Sequence, residues 1–216
     1  LDPADSKSVI AAADLLVETG RPEEAMGLLR DAFAAGREVA PVLYNQLGEL
    51  LVLQGRTAEA EEEFRRALEF NDELAQPRFN LAALAEQRGD LPTARDLYEA
   101  SIERAPLHYQ AQFNLGRLMG ALGEHERERE LYAASIASNP DFARGYFLLA
   151  KSIMDAGGDL ARAETLAREG LARRRDRRLE PLGWYVLADI LSRSGQAGEA
   201  REAARRGQMA ERDGGR

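Results

Sequence analysis

Few side chains in this sequence are equipped for bond making. The two histidines, His108 and His125, lie 17 residues apart, a spacing that does not suggest a shared metal ion. His108 follows Pro106 by two residues, and His125 sits among Glu124, Glu126, Arg127 and Glu128, so both read as surface histidines. There is no cysteine, hence no thiolate ligand, no cysteine nucleophile and no disulfide framework, and the redox compartment stays open. The 37 carboxylates read as helix-face charges with arginine partners four residues on, as at Glu62 and Arg66. No Gly-x-Ser-x-Gly elbow, phosphate-binding loop or His-Glu-x-x-His motif is present. The chain is therefore expected to be no enzyme and to carry no cofactor or metal. Amides, aromatic rings and guanidinium groups remain. Gln46, Asn80 and Asn114 follow one another at intervals of 34, and so do Phe79, Phe113 and Phe147.

That interval is the period of the whole sequence. Gly55, Gly89 and Gly123 obey it, as do the pairs Tyr98/Tyr132, Ser101/Ser135, Ile102/Ile136 and Pro106/Pro140. Units start at Ser6, Pro41, Ala75, Tyr109, Ala143 and Pro181, giving repeats near 6–40, 41–74, 75–108, 109–142, 143–180 and 181–212. Within a unit, positions 4, 7, 8 and 11 carry the stripe of an amphipathic helix, as in Tyr44, Leu47, Gly48 and Leu51. Position 15 is glycine, which ends a helix in the left-handed region without a Cβ penalty; in the fifth unit Gly157 or Gly158 takes this place. A second stripe at 20, 24, 27 and 28, as in Ala60, Phe64, Ala67 and Leu68, makes the second helix. Asp159 is placed to cap the second helix of the fifth unit. Each unit is a helical hairpin, and residues 6–212 form one all-α stack.

Composition agrees. Of 216 residues, 44% are hydrophobic and 31% charged, which excludes a disordered tract, and no stretch of 18 apolar residues could span a bilayer. A net charge of −8 opposes sequence-independent binding of nucleic acid. The basic run Arg173, Arg174, Arg175, Arg177 and Arg178 has no interleaved aromatics and reads as a solvated inter-repeat loop. The start Leu1-Asp2-Pro3 lacks the features of a signal peptide. The arginine-rich basic set, with frequent alanine, points to a bacterium with GC-rich coding. The compartment is not legible.

The period, the small residues at 8, 20 and 27, the aromatic at 24 and the proline at 32 together resemble the tetratricopeptide repeat. The second unit matches best. Departures are Arg78 and Gln112 at position 4, Glu128 at position 20, and Ala167 and Ala204 at the aromatic place, so the fourth and fifth units are expected to pack loosely. Residues 1–5 match the tail of a preceding repeat, and 213–216 are expected to fray. The resemblance implies a right-handed superhelix whose concave face is lined by first-helix positions 2, 5, 6, 9, 12 and 13. On that pattern the candidate groove comprises Asn45, Gln46, Glu49, Phe79, Asn80, Glu86, Phe113, Asn114, Arg117, Arg144, Phe147, Lys151 and Tyr185. The position-6 amides resemble the clamps of the family's peptide binders, each able to donate and accept. At about 0.5–1.5 kcal/mol per hydrogen bond, three rungs give weak binding, so side chains entering between the phenylalanines would set affinity. The phenylalanines also fit the alternative of packing against their own hairpin. Charge on the face is graded, from Asp14, Glu18, Glu49 and Glu86 to Arg117, Arg144 and Lys151. Of the two-carboxylate clamp found in chaperone-tail binders only Asn114 and Arg144 match, which argues against that specificity.

The expected function is a non-catalytic scaffold that binds an extended peptide or a partner helix. Two alternatives stand beside it: an accessory domain of a longer bacterial enzyme or assembly protein, and self-association into a homo-oligomer. Neither nucleic acid nor direct membrane insertion is expected.

Overall fold

In the computed structural model, residues 6–34, 41–173 and 177–214 are described, and they fold into helices joined by short turns. The arginines Arg174 and Arg175, residues 1–5 and the last two residues lie outside this set. The chain divides into two compact units, Leu1–Pro106 and Leu107–Arg216. The first holds α1 (Ser6–Glu18), α2 (Pro22–Ala34), α3 (Pro41–Leu53), α4 (Thr57–Phe70), α5 (Ala75–Gln87) and α6 (Leu91–Arg104). The second holds α7 (Tyr109–Ala121), α8 (His125–Ser138), α9 (Ala143–Asp155), α10 (Leu160–Ala172), α11 (Glu180–Arg193) and α12 (Ala197–Gly214), with a 3₁₀ turn at Arg177–Leu179 before α11. No strand occurs among the described residues. The first helices of the hairpins begin at Ser6, Pro41, Ala75, Tyr109, Ala143 and Glu180. The last helix runs through Gly214, past the expected fraying point at 213.

Each hairpin turns at its glycine. At Gly55, φ is +74°, its N–H donates to the Val52 carbonyl at 2.9 Å, and the Arg56 N–H reaches back to Leu51 O at 2.9 Å. This paired closure satisfies carbonyls that the end of α3 would leave open. In the fifth hairpin Gly157, at φ +67°, takes this role, and the Gly158 N–H closes onto Ile153 O at 2.9 Å. Asp159 then caps α10, accepting from the N–H groups of Ala161 at 2.9 Å and Arg162 at 3.1 Å.

The small residues set how closely the two helices of a hairpin approach. A Cβ at Gly48 would collide with the ring of Phe64, which is fully buried with Leu29 and Ala60. Burying such a ring is worth about 1.5–3 kcal/mol. The core of the first unit gathers Val9, Leu29, Leu47, Leu51 and Phe64; that of the second gathers Phe147, Met154, Leu187 and Ile190.

The fourth and fifth hairpins are packed, contrary to expectation. Where Ala167 replaces the aromatic, Phe147 from the first helix packs alongside, its ring lying where side chains at Gly170 and Gly183 would sit. Phe147 is 1% exposed and Ala167 fully buried. Where Glu128 replaces the small residue, Gly120 stands opposite, and a Cβ there would lie 2.6 Å from Glu128 Oε1. Tyr132 is 2% exposed beside it.

Candidate functional site

In the first unit the predicted groove residues form a polar seam between successive hairpins. Asn45, on α3, is 6% exposed because it faces α5. Asn80 on α5 donates through Nδ2 to Asn45 Oδ1 at 3.0 Å and to Glu49 Oε1 at 3.1 Å, while Asn45 Nδ2 donates to the same Glu49 oxygen at 2.8 Å. Gln46 Nε2 reaches the carboxylate of Asp14 on α1 at 2.6 Å. The amides therefore join α1 to α3 and α3 to α5. Both Asn80 amide protons are used, while its Oδ1 receives only a long contact from Gln76 Nε2, at 3.4 Å. An acceptor is left where the clamp reading required a donor and an acceptor. Glu86 accepts from the Tyr98 hydroxyl at 3.0 Å, and the half-buried Phe79 ring packs on Tyr98 at 5.8 Å between centroids.

In the second unit the row of rings is largely core. Phe113 is 6% exposed, packed edge-on against Phe142 at 4.9 Å and tilted on Tyr132 at 5.5 Å. Phe147 is buried against Gly170 and Gly183. Both rings are thus buried between helices. Tyr185 is partly exposed, its hydroxyl donating to Glu211 at 2.9 Å, a bond that raises its pKa above the ordinary tyrosine value. Asn114 is half-buried, and Arg117 and Arg144 are exposed. Lys151 is exposed and pairs with Asp155 at 2.5 Å; Asp155 also receives Arg193 at 3.2 Å.

Of the basic run, Arg173 is structural. Its guanidinium lies 4.1 Å from the Tyr146 ring centroid, and Nε donates to Pro140 O at 2.7 Å.

One feature of the second unit is absent from the predicted groove except for Lys151. A cleft of about 310 Å³ opens between α8 and α9, with Tyr132 and Leu148 in its walls and Lys151, Asp155 and Ala156 around it. At its polar side Glu128 accepts from Ser152 Oγ at 3.0 Å and lies 3.1 Å from His125 Nδ1, both through Oε2. Burial first, and then the Glu128 charge, push the Tyr132 hydroxyl above its ordinary pKa, with Arg117 opposing. Glu128 and His125 read from sequence as solvated helix charges; the available signal was Glu128 in a place where the other hairpins carry alanine. Among the described residues, no group of three histidine or carboxylate side chains is placed to hold a metal. No described helix is long and apolar enough to cross a membrane.

Three family models, each for the tetratricopeptide repeat, match residues 38–106, residues 79–143, and residues 8–31 with 181–206. No curated protein is a significant match. Solved structures with a similar fold include MamA from Desulfovibrio magneticus RS-1, 17% identical over 81% of this chain and 96% of that one, with a TM-score of 0.66. Pseudomonas aeruginosa pilF is 19% identical over 79% of this chain and 76% of that one, at 0.70. YrrB, whose structure is described as a tetratricopeptide repeat protein with an unusual peptide-binding site, is 18% identical over 82% of this chain and 91% of that one, at 0.56.

Proposed function

Because the chain belongs to the tetratricopeptide repeat family, we propose that it is a non-catalytic scaffold binding an extended peptide through the polar first-helix seams of its hairpins. The observation that carries this is the amide seam of the first unit. Asn45, Glu49 and Asn80 hold one another in fixed orientation, and Asn80 keeps an acceptor oxygen only weakly engaged, so a peptide N–H finds a positioned partner. A peptide carbonyl would instead have to displace the Asn80–Glu49 bond at 3.1 Å. With net gains of about 0.5–1.5 kcal/mol per hydrogen bond, backbone contacts alone support binding no tighter than micromolar. The peptide-binding site named for YrrB supports the reading by analogy of fold.

The test is a panel of immobilised random 15-residue peptides. Purified protein should retain a subset at micromolar affinity, and Asn80→Ala with Asn114→Ala should weaken that subset at least tenfold, measured at a temperature where circular dichroism shows the variant folded. Undiminished binding by the double variant contradicts the clamp, and retention of no peptide contradicts peptide recognition.

A further inference from the structure

The cleft between α8 and α9 is built from residues that break the repeat. At position 20 the hairpins carry Ala25, Ala60, Ala94, Ala163 and Ala200, all buried, but the fourth carries Glu128. At position 10 they carry Leu15, Leu50, Leu84, Leu118 and Ile190, but the fifth carries Ser152. At position 12 only the fourth has glycine, Gly120. These three departures come from three different helices, α7, α8 and α9, and meet at one carboxylate. Gly120 leaves the volume that the Glu128 carboxylate occupies, and Ser152 donates to it at 3.0 Å. An alanine in place of Glu128 would complete the pattern, so the carboxylate is an addition to the hairpin's packing and not a requirement of it.

Its charge is what lacks a match. Asp155, at the edge of the cleft, is answered by two cations, Lys151 and Arg193. Glu128 has the Ser152 and Tyr132 hydroxyls and the His125 imidazole, and among the described residues neither lysine nor arginine pairs with it, although its side chain is only 15% exposed. A carboxylate held at low exposure favours an incoming cation far more than a surface carboxylate does, because water screens it less. An anion entering the cleft would meet Glu128 directly. Leu148 and the Tyr132 ring supply apolar wall for the methylene stem that an arginine or lysine side chain brings with its charge.

We propose that this cleft is a specificity pocket for a cationic side chain, arginine or lysine, of the bound segment, with Glu128 receiving the charge. The proposal rests on the peptide-binding reading, naming what that peptide must carry. Within it, Ser152 orients Glu128, and the Lys151–Asp155 pair forms the edge, where Lys151 opposes the incoming charge.

Nuclear magnetic resonance titration with N-acetyl-argininamide, and with the neutral isostere N-acetyl-citrullinamide, tests it on the intact chain. The arginine probe should shift the amide signals of Gly120, Glu128 and Ser152 saturably in the millimolar range, and the citrulline probe should bind at least tenfold more weakly. Glu128→Gln keeps the shape and the acceptor for Ser152 but removes the charge, and should weaken the arginine probe at least tenfold. Should that variant fold poorly, Lys151→Ala, at an exposed position, provides the second reading: losing the opposing cation should tighten the arginine probe by two- to fivefold. Equal response to both probes, shifts centred elsewhere, or no change with either variant overturns the proposal. The two readings fail separately. If random peptides bind without preference for arginine or lysine, the pocket is wrong and the scaffold stands; if the arginine probe binds here and no peptide is retained, the pocket stands and the scaffold reading falls.

Discussion

The seam between the first helices α3 and α5 and the cleft between the second helix α8 and the first helix α9 treat polar groups in opposite ways. In the first, Asn45, Glu49 and Asn80 close on one another, so one carboxylate oxygen receives two amide donors. In the second, Glu128 is given two hydroxyls, an imidazole and space, but neither lysine nor arginine among those described. A repeated hairpin thus does not dictate a repeated surface. Three residue types, at Gly120, Glu128 and Ser152, turn a position that is elsewhere packed alanine into a charged cleft.

The largest expected effect concerns which rings are core. Phe147→Ala should destabilise the second unit by about 3–5 kcal/mol, the cost of removing a buried phenylalanine. Tyr185→Ala, on a ring that is partly exposed, should cost less than half as much. Chemical denaturation followed by the Trp184 signal measures both, and a mild effect of Phe147→Ala would return that ring to the groove.

Next comes the comparison of glycines. Gly48→Ala drives a Cβ into the fixed Phe64 ring and should cost about 1–3 kcal/mol by overpacking. Gly120→Ala meets the end of a side chain that can move, so stability should change by less than about 1 kcal/mol, while the Ser152 amide signal shifts as Glu128 is displaced. Equal losses in the two variants would mean that Glu128 is as rigid as a core ring.

Helix starts offer a smaller contrast. Asp159→Ala removes two cap bonds from α10 and should cost about 1 kcal/mol. At Glu124, which makes no side-chain cap bond to α8, Glu124→Ala removes no cap and should cost less than Asp159→Ala.

The smallest effect is with pH. Burial holds the His108 imidazole below its ordinary pKa, with a bond to Gln110 opposing. The folded chain then binds this proton less readily than the unfolded one, so stability present above about 6.5, the unfolded value, is lost as pH falls below it and through the lowered folded value. His108→Gln should flatten that part of the melting-temperature profile, and an unaltered profile would contradict the assignment.

The hairpins were legible in the sequence because a 34-residue period repeats both apolar stripes and the turn glycine, which left helix starts such as Ala75 and Tyr109 little freedom. Two features escaped it. Phe147 falls on the groove stripe by position but is buried against Gly170 and Gly183, which leave room for its ring; position within one helix does not reveal the space its neighbours leave. Glu128 reads in the sequence as a lone departure, and only the packing of α7, α8 and α9 shows that Gly120 and Ser152 meet it. The amide row was visible as a spacing, but that Asn80 spends both protons on Asn45 and Glu49 depends on side-chain directions that spacing does not carry.

The most direct measurement is a crystal structure of the chain with the tightest peptide from the random panel. The peptide should place a backbone N–H on Asn80 Oδ1, or an arginine or lysine side chain against Glu128. A peptide seated on the second helices, with Asn80 and Glu128 both untouched, would contradict the assignment of these faces to recognition.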